Sequence, residues 1–188
     1  MMEDVRGVVD RKAGTVDQLR VYSRDESEEP RQAMDVNEVI ASSLKLMGSQ
    51  LENHGVDLVL DLSDGLPVVW GHPHPLEQVV LNLLSNARDA VDERAEVEGV
   101  GYDKRIWIRT RVEGDVVVLD VEDNGVGMDE AIRQRLFEPF FTTKDANRGT
   151  GLGLSIIYAI VRSHDGEITV ESEQGIGTTF KVVLPVVA

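Results

Sequence analysis

Apolar residues along the chain recur with two different periods, which separate strand segments from helix segments. Alternation with a period of two predicts strands. The strand segments read GVDLVLDL, LPVVWG, RIWIRTRVEG, DVVVLDVEDNG, EITVES and GTTFKVVLPVV. Spacing of three and four residues predicts three main helices: one that follows Met34, one over PLEQVVLNLLSNARDAVDE and one over GLGLSIIYAIVRSHDG. A short strand near Met34 precedes the first helix, and either Asp35 or Asn37 is expected as its N-cap.

The connections between these segments predict the fold class. The residues Glu113–Asp115 separate two strand segments and indicate a β-hairpin. Strands joined by hairpins, together with three main helices, predict an α+β fold in which a mixed, mostly antiparallel sheet is covered on one face by helices. Asp129 is expected to cap a short helix that ends near Leu136, and residues 137–150 are expected to form a long loop.

The N-terminal segment differs from the rest of the chain. Residues 1–24 carry apolar residues at helical spacing, but this segment is too short to own a core. A charged run that ends in proline, residues 25–30, follows it and indicates a boundary. We therefore expect residues 1–30 to be the end of a longer helix with a linker, and residues 31–188 to fold as a domain.

Composition and charge narrow the classes of ligand. The chain has 188 residues, no cysteine and a net charge of −15. No apolar run reaches the about 18 residues of a membrane span, and the N-terminus lacks the pattern of a signal peptide. Such an acidic chain repels nucleic acid and anionic lipid, so neither is expected as a partner. A phosphate ligand would need local compensation from Mg²⁺, backbone N–H groups, a helix N-terminus or a few cations.

Two asparagines lie in the second main helix. Asn82 and Asn86 are four residues apart and therefore lie on one face of that helix. Asparagine is a poor residue for a helix interior, and its amide oxygen is a hard ligand of the kind that suits Mg²⁺. The alternative is that both are simply solvated polar residues on the outer face.

The stretch DNGVGM, residues 123 to 128, follows an apolar strand segment. Asp123 is therefore expected to be partly buried, and a buried carboxylate needs hydrogen-bond donors. Either the carboxylate caps the turn formed by Asn124 and Gly125, or it accepts a hydrogen bond from an amino group of a ligand. The glycines would allow positive φ or a close approach of a ligand.

Three further stretches complete the set of unusual motifs. In RGTGLGLSI, the glycines 149, 151 and 153 precede an apolar helix, which suits a phosphate but is also compatible with a flexible loop that ends in a helix cap. FEPFFTTK holds three of the four phenylalanines in a segment expected to be a surface loop. GIGTTF opens the last strand with a threonine that could reach Asp123.

Taken in order, these motifs resemble those of the catalytic, ATP-binding domain of sensor histidine kinases, a member of the Bergerat-fold superfamily that includes DNA gyrase. NLLSNARDA resembles the N box, DNGVGM the first glycine box, FEPFFTTK the F box, GTGLGLS the second glycine box and GTTF the last box. The resemblance covers about residues 35–188 and implies a two-layer α/β sandwich, the Bergerat fold.

The resemblance also implies roles for individual residues. Asn86 would bind Mg²⁺, and Asp123 would accept a hydrogen bond from the adenine 6-amino group, supported by Thr178. Residues 137–150 would form a lid over ATP, with Lys144 near the γ-phosphate. The implied nucleotide-binding set is Asn82, Asn86, Ala90, Asp123, Gly125, Gly127, Met128, Lys144, Gly149, Gly151, Leu152, Gly153 and Thr178. Asn82 and Lys144 would also take part in catalysis.

One position favours a kinase over a hydrolase. The resemblance implies that members of the superfamily that hydrolyse ATP have an E-x-x-x-N pattern, in which the glutamate activates water. The residue at the glutamate position here is Asn82. An amide cannot take a proton from water at neutral pH, so poor hydrolysis is expected. The alternatives are an ATPase of this superfamily and a non-catalytic nucleotide-binding or docking module.

The phosphorylated histidine of such a kinase is not expected in this chain. The four histidines are His54, His72, His74 and His164, and none has the acceptor pattern of the family. TVDQLRVYSR resembles the end of the second dimerisation helix, so the resemblance makes residues 1–30 its remnant and implies that the acceptor lies upstream. It further implies a homodimeric parent protein, a response regulator receiver domain as partner, and a cytoplasmic location with a parent that could be membrane-tethered.

Overall fold

The computed structural model describes residues 30–143 and 150–187. The chain divides into two units, Met1–Arg31 and Gln32–Ala188. The helix predicted over residues 1–24 lies outside the described residues, and so do Lys144 and Gly149. Every helix and strand of the described residues belongs to the second unit.

This unit contains seven strands and four helices among its described residues. The strands are β1 (Gln32–Met34), β2 (Asp57–Leu62), β3 (Val69–Gly71), β4 (Arg105–Glu113), β5 (Val116–Asp123), β6 (Glu167–Glu173) and β7 (Gly177–Pro185). The helices are α1 (Val36–Asn53), α2 (Pro73–Glu98), α3 (Glu130–Arg133) and α4 (Gly153–Ser163). None of the described helices is both long enough and apolar enough to cross a membrane.

Five strands form one mixed sheet in the order β2-β4-β5-β7-β6. Strands β2 and β4 are parallel, whereas the other three neighbouring pairs are antiparallel. The predicted hairpin at Gly114 joins β4 to β5. The mixed, mostly antiparallel sheet is therefore confirmed.

The three long helices cover one face of this sheet, as expected. Helix α2 packs against α1, α4 and β5. Its buried residues are Leu76, Val79, Val80, Leu83, Leu84, Ala87 and Val91. This set recurs at intervals of three and four residues, and each fully buried Leu or Val contributes about 1.5–3 kcal/mol relative to an exposed one. Helix α2 is thus the central helix of the core. Its packing fixes the position of the half-buried residues that border its buried face.

The structure decides between the two predicted caps of the first helix and shortens one predicted strand. Helix α1 is capped by Asp35, whose side chain accepts from the Asn37 backbone N–H, while the Asn37 amide bonds the Ser63 carbonyl instead. Strand β3 is shorter than the segment LPVVWG and pairs with β1 in a separate two-stranded sheet. The pairing of β1 with β3 had no signal in the sequence because both strands have only three residues.

Candidate functional site

Asp123 is the last residue of β5 and is 5% exposed. Its Oδ1 atom accepts a hydrogen bond from the Gly125 backbone N–H at 2.8 Å, as the turn interpretation predicts. The backbone N–H of Thr178 also bonds this carboxylate. No cation among the described residues forms an ion pair with it. Burial raises the pKa of Asp123 to about 7, although the two backbone hydrogen bonds act in the opposite direction.

The loop after Asp123 packs directly on helix α2. A Cβ atom at Gly125 would lie 2.5 Å from the carbonyl carbon of Ala90, so only glycine fits at this contact. The Val126 backbone N–H donates to the Ala90 carbonyl at 3.2 Å. Ala90 lies four residues after Asn86 on the same face of α2. The predicted residues at positions 86, 90 and 123–125 are therefore brought to one place.

The two asparagines of α2 keep their amide groups available. Asn82 and Asn86 are half-buried on the edge of the buried face of α2, and neither side chain has a hydrogen-bond partner among the residues that the structure describes. A half-buried amide oxygen without a partner fits a hard cation such as Mg²⁺. Asp89, three residues after Asn86, is paired with Arg88 at 2.7 Å. Two amide oxygens do not complete the coordination of a divalent cation, so a cation at this place would take its other ligands from water or a bound molecule.

A second loop holds the other side of the DNGVGM stretch. Gly127 has φ +66°, and a Cβ atom there would overlap the Glu173 carbonyl. The Met128 backbone N–H donates to the Ser172 Oγ atom at 2.8 Å, and Ser172 in turn contacts the Thr178 hydroxyl at 2.9 Å. Met128 and Thr178 therefore meet at one hydroxyl group, which the motifs alone did not identify.

Arg94 and Tyr102 clamp the loops from outside and were also missed. The Arg94 Nη1 atom donates to the carbonyls of Asn124 at 2.8 Å and Ile176 at 2.9 Å. The Tyr102 hydroxyl donates to the Asn124 carbonyl at 2.6 Å, and Arg94 stacks on the Tyr102 ring. Burial raises the pKa of Tyr102 to about 12, so this donor keeps its proton at neutral pH. Nothing in the local sequence distinguishes these residues from a solvated helix end and loop.

Helix α4 begins with the second glycine-rich motif. Gly153 is its first residue, and Leu152 before it is buried in the core. The first N–H groups of a helix lack an intrahelical acceptor, and no side chain among the described residues caps those of α4. The Leu152 N–H, just before the helix, donates to the Thr150 hydroxyl at 3.4 Å. The Gly151 carbonyl accepts from the Phe140 backbone N–H at 2.8 Å, which ties this turn to the F-box segment. Because α4 packs on α2, the glycine-rich turn and the asparagine helix belong to the same layer.

The F-box phenylalanines occupy three different environments. The Phe137 ring lies 5.5 Å from the Tyr158 ring of α4. Phe140 is 63% exposed, and Arg135 stacks on the Phe141 ring at 4.5 Å. Phe137 therefore anchors the start of this segment to α4.

Comparison with known proteins identifies the family. The family described as histidine kinase-, DNA gyrase B-, and HSP90-like ATPase matches residues 71–188. Sensor kinase CckA of Brucella abortus is 36% identical over an alignment that covers 97% of this chain and 20% of the relative. Sporulation kinase E of Bacillus subtilis is 38% identical over 80% of this chain and 19% of the relative. This chain thus spans about a fifth of the length of both relatives.

Solved structures agree in fold and in type of domain. The catalytic domain of histidine kinase ThkA superposes with a TM-score of 0.69 at 27% identity, over 84% of this chain and 97% of that domain. The chain therefore belongs to the histidine kinase-, DNA gyrase B- and HSP90-like ATPase family, and its folded unit is an ATP-binding catalytic domain of the sensor histidine kinase type.

Proposed function

We propose that this domain binds ATP with Mg²⁺ and transfers the γ-phosphoryl group to a histidine on a separate dimerisation domain. One observation carries the proposal. The buried carboxylate of Asp123 has no cationic partner among the described residues, and the loop that follows it packs on Ala90 of α2, one turn from the unpartnered amide of Asn86. A nucleotide would satisfy both groups at once. An amino group on its base would donate to the Asp123 carboxylate, and its phosphates would bind a metal ion held by the Asn86 amide.

The adenine end of the site is assigned to Asp123. An ionised carboxylate accepts hydrogen bonds only, so it complements the 6-amino group of adenine. Gly125 and Gly127 let the loop pack on Ala90 and on the Glu173 carbonyl, which holds Asp123 in place. Ala90 and Met128 would supply apolar walls for the ring. Thr178 supports the carboxylate through its backbone N–H.

The phosphate end is assigned to α2 and to the start of α4. Asn86 would hold Mg²⁺ with Asn82 beside it, and the ion would neutralise phosphate charge. The N–H groups around Gly151, Leu152 and Gly153 would bind phosphate oxygens at the uncapped helix end. Lys144 and Gly149 lie outside the described residues. We propose that they contact the phosphates as part of a lid over ATP that residues 137–150 form.

Asn82 makes transfer to another nucleophile the preferred outcome. An amide does not remove a proton from water, so bound ATP is protected from hydrolysis. A histidine imidazole is already nucleophilic when neutral, and phosphoryl transfer then depends mainly on positioning and charge neutralisation. This supports a kinase more than an ATPase of the same superfamily.

The remaining partners are proposed from the relatives that the chain resembles. Because the chain covers only a fifth of its relatives' lengths, the phosphorylated histidine, its homodimeric helices and the cytoplasmic setting are proposals about the longer protein. A response regulator receiver domain would accept the phosphoryl group from that histidine. The dimerisation helix is proposed from the resemblance of TVDQLRVYSR to the end of such a helix, and the other assignments from the resemblance to sensor histidine kinases.

The experiment has two stages, the first of which is ADP binding with and without Mg²⁺. We expect Mg²⁺ to strengthen ADP binding in the wild type. Asn86→Ala should remove that strengthening while ADP without metal still binds. If the Mg²⁺ dependence persists in Asn86→Ala, the metal assignment is wrong.

The second stage adds an upstream dimerisation domain from a relative and labelled ATP. Acid-labile, base-stable phosphate on its histidine would support the kinase. Rapid steady-state hydrolysis that Asn82→Ala abolishes would favour the ATPase instead. Absence of any nucleotide binding would leave only a docking module.

A further inference from the structure

Three polar residues form a row across the end of the sheet. Thr178 on β7 pairs with Asp123 on β5 and with Ser172 on β6. Directly opposed residues of antiparallel strands point to the same face of a sheet. The row Ser172–Thr178–Asp123 therefore lies on one face, and it ends at the carboxylate assigned to adenine.

The hydrogen bonds of Ser172 fix the direction of the Thr178 hydroxyl. The Ser172 Oγ atom accepts from the Met128 backbone N–H at 2.8 Å and donates to the Gly177 carbonyl at 3.0 Å. A serine hydroxyl has one proton to donate, and Gly177 receives it. The 2.9 Å contact between Ser172 and Thr178 is then satisfied only if Thr178 donates.

This direction leaves Thr178 as an acceptor toward the base. Its single proton points to Ser172, so only lone pairs of Thr178 Oγ1 remain for a ligand. The neighbouring carboxylate of Asp123 also accepts only. Both side chains thus offer acceptors toward a ligand, and the Asp123 carboxylate also accepts from two backbone N–H groups. An amine on the ligand complements this pair of acceptors, whereas an oxygen in the same place does not.

We propose that Ser172 is a specificity-determining positioning residue: by holding the Thr178 hydroxyl as an acceptor, it makes the site select purines with a 6-amino group over purines with a 6-oxo group. The inference rests on the proposed function, since it places the base at Asp123. Adenine supplies two amine protons for the two acceptors. Hypoxanthine presents an oxygen at the same position, and this oxygen would face lone pairs.

The test is the ratio of dissociation constants for IDP and ADP. The full chain is titrated with each nucleotide at pH 8 with Mg²⁺, and the wild type is expected to prefer ADP. In Ser172→Ala the Thr178 hydroxyl is free to rotate and to donate to the 6-oxo group. The IDP to ADP ratio should therefore fall about tenfold, the value of one good hydrogen bond.

Two serine variants separate selectivity from general damage. Ser172→Thr keeps the hydroxyl and should restore the wild-type ratio. Ser43→Ala removes a buried serine that bonds the Val39 carbonyl within α1, far along the chain from this row, and should leave the ratio unchanged. A loss of packing alone would weaken both nucleotides equally and would not change the ratio.

The outcomes distinguish this inference from the proposed function. A wild type that prefers ADP, with an unchanged ratio in Ser172→Ala, overturns the role of Ser172 alone. A wild type without preference for ADP overturns the adenine assignment and this inference with it. If Ser172→Ala does not fold, Thr178→Val removes the same acceptor with little change of shape; the ratio should again fall, and an unchanged ratio overturns the inference.

Discussion

At the scale of single residues, Asp123 combines two conditions that are rarely met together. Its carboxylate is buried without a cation among the described residues, and it is held in place by two backbone N–H groups. Burial penalises the charged form, which raises the pKa to about 7. An amine donor from a ligand would favour the charged form, so ligand binding and ionisation are linked at this residue.

The linkage predicts that adenine nucleotide binding weakens as the pH falls through 7. Binding requires the ionised carboxylate, so the apparent dissociation constant of ADP should be about tenfold higher at pH 6 than at pH 8. Nucleotide binding near pH 7 should also release a proton, which calorimetry in buffers of different ionisation enthalpy detects. Asp123→Asn is the control, because it leaves only the titration of the nucleotide itself. An affinity that is equally high at both pH values in the wild type would contradict the linkage.

At the scale of elements, the site depends on the contact between one loop and one helix. The DNGVGM loop follows β5, and Gly125 brings its backbone against Ala90 of α2. Any side chain at this glycine would separate the loop from the helix. Asp123 would then move away from the face that carries Asn86.

Gly125→Ala should therefore damage nucleotide binding more than stability. The added Cβ would lie 2.5 Å from the Ala90 carbonyl carbon, so we expect at least about a tenfold loss of ADP affinity. Gly48→Ala is the matched control, since a Cβ at that position in α1 meets no atom within 4 Å. That change should stabilise the domain by about 0.5–1 kcal/mol without altering affinity. Equal ADP affinity in both variants, measured by titration, would show that the contact is not needed.

At the scale of the whole molecule, the proposed function requires the domain to hold ATP without hydrolysing it. By the resemblance, Asn82 occupies the position of the glutamate in relatives that hydrolyse ATP, so steady-state hydrolysis by the chain should be slow. Asn82→Glu supplies a general base and should raise hydrolysis by at least about tenfold. Phosphate release is the measurement, and Asn82→Gln is the control of similar size without a base. Fast hydrolysis in the wild type that Asn82→Ala removes would contradict the role assigned to Asn82.

The sequence predicts those parts of the molecule that local patterns determine. The order of strands and helices, the buried face of α2 and the residues Asn86 and Asp123 follow from periodicity and from motifs. Ser172 and Arg94 could not be found in this way, because their roles exist only through tertiary contacts. The carbonyl partners of Arg94 lie 30 and 82 residues further along the chain. Sequence patterns thus indicate the groups that we propose to contact the ligand, whereas only tertiary contacts reveal the groups that hold them.

The most direct test of the central claim is the affinity of the full chain for ADP in the wild type and in Asp123→Asn, at pH 8 with Mg²⁺. The asparagine has the same shape, but its amide replaces the charged acceptor. If adenine binds through its 6-amino group at this carboxylate, the variant should bind ADP at least about tenfold more weakly, about 1.4 kcal/mol. Equal affinities for ADP in the two proteins, with both folded, would contradict the placement of adenine at Asp123.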